Sequence, residues 1–209
     1  MKILALENST ACGSVALLDD SQEPIVFDYQ NDRKHSGAFF QSLGRLSDRF
    51  RDADSIVVGL GPGSYAGVRI AVATSIGLQA GTGARLLGFP SICAIDAPTG
   101  EYCVIGDARR ETFFFARIRS NEILGEIDLC SVAELCTRLE NLDREIPVYS
   151  SETLLQFPRA IVRYPSALLL GKLIQRGVVR ASETSLHPIY LREPHITIPN
   201  DKRNLSMLG

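Results

Sequence analysis

"SIVVGLGPGSYAGVRIAVATSIGLQAG", Ser55 to Gly81, decides the fold of this chain. An apolar strand breaks into a glycine-rich turn and runs straight into a segment whose pattern predicts a helix over about Ala66–Ala80. Strand, glycine turn and helix N-terminus together are how proteins cradle phosphate, because unpaired amides and the helix dipole converge there. The specific phosphate motifs do not fit. A Walker A loop counted from Gly61 would need Gly and Lys where Ala66 and Gly67 stand. The dinucleotide fingerprint G-x-G-x-x-G is one residue shorter than Gly61 to Gly67, and a nucleophile elbow centred on Ser64 would need glycines in place of Pro62 and Ala66. The glycines therefore read as backbone freedom and close approach. In the helix, Gly67, Ala71, Ala73, Thr74, Ser75, Gly77 and Ala80 are small, while Val68, Ile70, Val72, Ile76 and Leu78 spread apolar area around most of the circumference. Such a helix is expected to be buried, in a core or against a partner.

Upstream, Lys2 to Glu7 and "SVALLDD" flank the turn "NSTACG" as a hairpin, and "PIVFDYQ" offers a third strand. "HSGAFFQSLGRLSDRF" sets Phe39, Leu43, Leu46 and Phe50 on one helical face, with Ser36 as the N-cap. Downstream come a short strand "RLLGF", a helix expected from Ser91, and the linker-like "DAPTG". The second half then gives "YCVIGDARRETFFFARI", a strand near Ile123–Leu129, the helix "SVAELCTRLENL", the strand "IPVYS" and the helix "PSALLLGKLIQRG". It repeats the opening plan of hairpin, third strand and helix, which predicts two related α/β lobes, with a single α/β domain as the other option. The tail from Glu193 reads as extended or mobile.

The 209 residues, 45% of them apolar, suffice for a real core. The net charge is −2, so no general basic surface exists for a nucleic-acid backbone. Five cysteines without C-x-x-C or zinc spacing suggest free thiols in a reducing compartment. With no signal-peptide core and no apolar stretch of membrane-spanning length, a cytoplasmic protein is expected.

"ILALENSTACGSVALL", "HS" before an amphipathic helix, "VGLGPGSYAGVRIAVATSIGLQAG", "DARRETFF", "PSA" and "PIYLR" occur in this order and together resemble the bacterial TsaB family, also called YeaZ. The resemblance spans nearly the whole chain, and its most specific part is the glycine turn with its helix. It implies an α/β ASKHA fold, actin-like and RNase H-like, with two lobes: residues 1–97, carrying the glycine turn and partner-binding helices, and a shortened 98–209. It also implies a place in forming N6-threonylcarbamoyladenosine at position 37 of tRNAs that read codons beginning with A. There TsaC makes threonylcarbamoyl-AMP, TsaD transfers the group, TsaE is an ATPase, and TsaB is the non-catalytic partner of TsaD. The expected partners are thus TsaD directly, TsaE and tRNA through the complex, and a second copy when the chain is alone, with no membrane contact. The family usually opens on D-T-S; here Glu7-Asn8-Ser9 stands, which weakens any role for an aspartate. TsaD proteins bind metal through H-x-E-G-H, whereas the corresponding Ser91-Ile92-Cys93-Ala94-Ile95 carries none of those ligands, so neither metal nor cofactor is expected.

On this reading the partner contact comprises His35, Ser36, Phe39, Leu43, Leu46 and Phe50 from the first helix and Ser64, Tyr65, Val68, Arg69, Val72, Ala73 and Ile76 from the second. Arg109 and Arg110, in the turn Asp107 to Glu111, are either an anion contact or a local ion-pair cluster. His35 and Ser36, with Asp28 and Asp32 upstream, also invite a hydrolase triad, but nothing places an oxyanion hole beside Ser36 and a helix cap accounts for it. His187 and His195 read as ordinary surface or packing residues, and Phe113, Phe114 and Phe115 as a strand covered on at least one face. The competing function is a stand-alone ATP-using enzyme of the same fold, or a glycoprotease-like peptidase.

Overall fold

The computed structural model describes residues 1–31, 36–177 and 186–192. Strands β1 (Lys2–Glu7), β2 (Cys12–Asp19) and β3 (Gln22–Gln30) form an antiparallel meander. Helix α1 (Gly37–Gly44) leads to β4 (Ser55–Gly59), parallel to β1, and helix α2 (Tyr65–Thr82) to β5 (Arg85–Phe89), parallel to β4. The sheet order is β3-β2-β1-β4-β5. Every residue of β4 is buried, which is why its sequence is a continuous apolar run rather than an alternation.

The second sheet repeats the plan. The hairpin β6 (Glu101–Asp107) and β7 (Thr112–Arg119) is followed by two short strands, β8 (Glu122–Ile123) and β9 (Asp128–Ser131), both antiparallel to β7. Helix α3 (Val132–Asn141) then leads to β10 (Val148–Ser150), parallel to β6, and β11 (Ala160–Val162), parallel to β10. Helix α4 (Ala167–Gln175) returns to the first sheet, across β1, β2 and β4. It approaches closely through Gly171, where a Cβ would sit 2.2 Å from the Leu18 side chain.

Three apolar layers result. Helices α1 and α2 cover one face of the first sheet, α1 over β2 and β3, α2 over β4, β1 and β5. The other face joins the second sheet in a continuous core that includes α4, with Tyr102, Tyr149, Phe114 and Leu170 among its buried residues. Helix α3 closes the far side of the second sheet. The three phenylalanines divide between these layers: Phe113 meets Phe157 edge-on beneath α3, Phe114 enters the core between the sheets, and Phe115 lies under the Arg138 guanidinium.

The structure departs from the sequence reading in four elements, the first being α1, which ends at Gly44 and leaves Leu46 and Phe50 beyond the helix. The helix expected from Ser91 is a single 3₁₀ turn, Ser91–Cys93, wedged in the core, where the Ile92 carbonyl accepts from Tyr102 and the Cys93 carbonyl from Asn121. The strand expected near Ile123–Leu129 is split in two, with Gly125 in the left-handed region between the halves. Strand β11 was not expected; its three residues add the outermost parallel partner of the second sheet. Arg159, just before β11, donates to the carbonyls of Leu139, Leu142, Asp143 and Ile146, so one guanidinium satisfies the C-terminal end of α3 and the loop after it.

Candidate functional site

The glycine turn is filled by the chain itself. A Cβ on Gly63 would stand 2.1 Å from the Ser9 carbonyl oxygen, and one on Gly67 2.1 Å from that of Asn8. These glycines exist so that the β1–β2 turn can lie against the start of α2. Three amides that a phosphate would need are already used: Ser64 N–H donates to the Ser9 carbonyl (2.6 Å), Gly67 N–H to Ser64 Oγ (3.2 Å) and Gly61 N–H to Ser91 Oγ (3.0 Å). From the other side the segment Leu186–Arg192 crosses the turn, with Ile189 N–H donating to the Leu60 carbonyl (2.8 Å). Leu186 occupies the space beside Gly88, where a Cβ would meet its side chain at 2.8 Å.

Beneath the turn lies a buried polar hub that the sequence reading missed. Asn8 Oδ1 accepts from Tyr29 OH and from Asn31 Nδ2, and its own Nδ2 donates to the Gly67 carbonyl, tying β1, β3 and α2 together. Glu7 is fully buried; Oε1 accepts from Ser9 N–H (2.7 Å), while Oε2 faces Gly59 and has no hydrogen-bond partner among the described residues. Burial pushes the Glu7 carboxyl above its ordinary range, only partly offset by the nearby Ser9 and Ser91 hydroxyls and then by the Ser9 and Asn8 amides. Burial likewise pushes the Tyr29 hydroxyl up. Here Glu7 is a packed structural acid whose signal in the sequence, a lone carboxylate closing an apolar strand, does not announce its burial.

The helical residues expected at a partner contact separate into two sets. Phe39, Leu43, Leu46, Phe50, Val68 and Val72 are buried in the core over the first sheet, which corrects their assignment to an external surface. The reason is that two helices must cover this sheet face, and their largest apolar side chains do so. Exposed are Ser64, Tyr65, Arg69, Ala73 and Ile76 on α2, joined by Ala66, Gly77 and Ala80. Tyr65 is 45% and Ile76 50% exposed, and on α1 Phe40, next to the buried Phe39, is 49% exposed. Three- and four-residue steps put Ala66, Arg69, Ala73, Ile76 and Ala80 in one stripe along α2. Arg69 Nη1 donates to Tyr65 OH, and its guanidinium lies over the Tyr65 ring. Ser36 occupies the N-cap position of α1 without a side-chain capping bond, and His35 and His195 lie outside the described residues.

The second-lobe residues sit elsewhere. Arg109 and Arg110 are at the tip of the β6–β7 hairpin, where Arg109, Arg110 and Glu111 all adopt positive φ. Arg109 is held by Asp107, through both its amide and its guanidinium. Ser91–Ile95 is core: Cys93 is buried and its thiol pushed up to about 12 by burial. Among the described residues no group of three or more His, Cys, Asp or Glu is placed to hold a metal ion. All five cysteines are free thiols, and no described helix is long and apolar enough to cross a membrane. His187 is exposed.

Two sheets built on one repeated plan, joined through a single core, define an actin-like, RNase H-like α/β protein whose glycine turn is closed by its own chain. Residues 34–176 match the family model described as TsaD: tRNA N6-adenosine threonylcarbamoyltransferase, and the chain belongs to that family. It is a TsaB/YeaZ homologue. A Haemophilus influenzae protein named tRNA threonylcarbamoyladenosine biosynthesis protein TsaB is 25% identical over 92% of this chain and 94% of its own length. YeaZ of Pseudomonas aeruginosa, 19% identical, superposes with a TM-score of 0.66 over 91% of this chain and 99% of that one, which is a likeness of fold. An uncharacterized Mycobacterium leprae protein is 38% identical, but over 32% of this chain and only 19% of its own length.

Proposed function

We propose that this chain is a non-catalytic TsaB-type subunit that binds a TsaD-type protein and supports it in forming N6-threonylcarbamoyladenosine at position 37 of tRNAs reading codons that begin with A. The observation that carries the reading is the exposed stripe of α2, with Tyr65, Ala73 and Ile76 left uncovered on a helix whose other side is core. Small residues there admit a partner helix closely, and α1, beside it on the same sheet face, adds Phe40. The closed glycine turn and the packed Ser91–Ile95 support a docking role over nucleotide or metal chemistry. A TsaE-type ATPase and tRNA would be engaged through the complex, in keeping with the net charge of −2, and Arg109 and Arg110 are kept as the candidate anion contact there. Alone, the chain would pair the same stripe with a second copy, and its working compartment would be the cytoplasm.

The test is co-purification with the TsaD of the same organism, followed by tRNA modification with and without this chain. Retained modification when this chain is omitted, or no association with TsaD, would overturn the reading.

A further inference from the structure

The segment Leu186–Arg192 closes the glycine turn, and it also carries an aromatic ring to the end of the exposed stripe. Ile189 N–H holds it to the Leu60 carbonyl, and Leu186 and Ile189 pack against the core under α1 and α2, while Leu191 packs against the core between the sheets. With the backbone pinned on both sides, Tyr190 is set over the first turn of α2, its ring centroid 5.1 Å from that of Tyr65. Arg69 lies over the same Tyr65 ring at 5.0 Å. Tyr190, Tyr65 and Arg69 thus form a three-membered cluster, contiguous through Ala73 with Ile76. Both tyrosines stay more than two-fifths exposed, so the chain's own packing uses only part of their area. Tyr and Arg in a preorganised cluster are the residue types that carry most of the energy of protein contacts.

We propose that the C-terminal segment is a second, non-helical part of the face that binds the TsaD-type partner, with Tyr190 as its anchor; this rests on the docking reading above. The occupant is a helix end of that partner. The tyrosine rings give it apolar area with hydroxyls at the rim, and the Arg69 donors not used by Tyr65 suit a carboxylate or the free carbonyls of a helix C-terminus. A helical seam limited to α1 and α2 would leave Tyr190 outside the contact.

The experiment measures the dissociation constant of the full-length chain for TsaD by titration calorimetry, with a thermal melt of each variant. Tyr190→Ala is expected to weaken binding about tenfold or more, Tyr190→Phe less than about threefold, and Tyr164→Ala, an exposed tyrosine of the β11–α4 connection, not at all. Ile76→Arg reports on the helical stripe independently. If Ile76→Arg breaks the complex while Tyr190→Ala binds like the wild type, the C-terminal anchor is wrong and the docking reading stands. If neither variant changes binding, the docking face itself is wrong. Should Tyr190→Ala lower the melting temperature, Tyr190→Leu, which keeps apolar bulk over Tyr65, decides: restored stability with lost affinity supports the anchor, and restored affinity overturns it.

Discussion

Helices α2 and α3 hold comparable places in the two halves, each laid on the outer face of a sheet, yet only one is finished for water. Helix α3 buries Leu135 and Leu139 and turns Glu134, Thr137, Arg138 and Glu140 outward. Ser131 and Glu134 form a reciprocal cap at its start, and Arg138 pairs with Asp128. Helix α2 buries Val68, Ala71, Val72 and Ser75, but its outward side carries one charge, Arg69, among Tyr65, Ala66, Ala73, Ile76, Gly77 and Ala80. Both helices bury an inner side and differ in the chemistry of the outer one, which separates what folding requires from what remains for a second molecule.

The sharpest way to break this comparison is at the base of α2. Gly63→Ala and Gly67→Ala each drive a Cβ into a backbone carbonyl that cannot swing aside, because Ser9 and Asn8 are tied to the turn by hydrogen bonds. Each should cost about 3–5 kcal/mol in a denaturant melt, among the largest single-residue effects. Near-native stability in both would mean that the β1–β2 turn does not fill the cradle, and the phosphate reading would return.

The outward faces come next. Ile76→Arg on α2 should weaken binding to TsaD by about 30-fold or more, since a long cation would be forced into an apolar contact. Thr137→Arg on α3 adds the same charge to a face already suited to it and should leave the affinity unchanged. Equal effects from the two would erase the distinction between the helices.

Much of this was readable beforehand. The β-β-β-α repeat, the strand-turn-helix at Ser55–Gly81 and the failure of the phosphate motifs are matters of local pattern and spacing. Which side of each helix faces out was not, because α2 is apolar nearly all round and α1 spans only Gly37–Gly44, with Leu46 and Phe50 lying beyond its end. Nor was the hub legible: Asn8 reaches Gly67 across 59 residues, and Leu60 meets Ile189 through a bond that no local periodicity encodes. The contact of Tyr190 with Tyr65 escaped for the same reason, as the two lie far apart in the sequence.

Glu7 tests the hub by pH. Its carboxyl titrates higher in the folded chain than in the unfolded one, so between those two values the folded state binds the extra proton. Stability from this group is therefore full below the ordinary glutamate value and falls as pH rises toward the raised one. Glu7→Gln keeps an acceptor for Ser9 N–H and removes the titration. The melting temperature of the variant should pull ahead of the wild type as pH is raised from 5 to 8, by about 2–4 °C for each kcal/mol recovered. A gap that stays constant or reverses would mean that the buried carboxylate has an ionic partner.

The smallest expected effect discriminates most finely between a solvent face and a docking face. Gly77 lies inside α2, is exposed, and has nothing within 4 Å of where a Cβ would stand. For the isolated chain, Gly77→Ala should therefore stabilise by about 0.5–1 kcal/mol, since alanine loses less backbone entropy in a helix and meets no clash. On α3, whose outward face carries long polar side chains, no glycine is kept at an equivalent interior position. If Gly77 is retained so that another helix can come close, the methyl that stabilises the free chain should obstruct the complex, weakening TsaD binding several-fold while raising the melting temperature. Stability and affinity would then move in opposite directions for one methyl group. A gain in stability with unchanged affinity would place Gly77 off the contact and confine the seam to the Tyr65–Ile76 part of the helix.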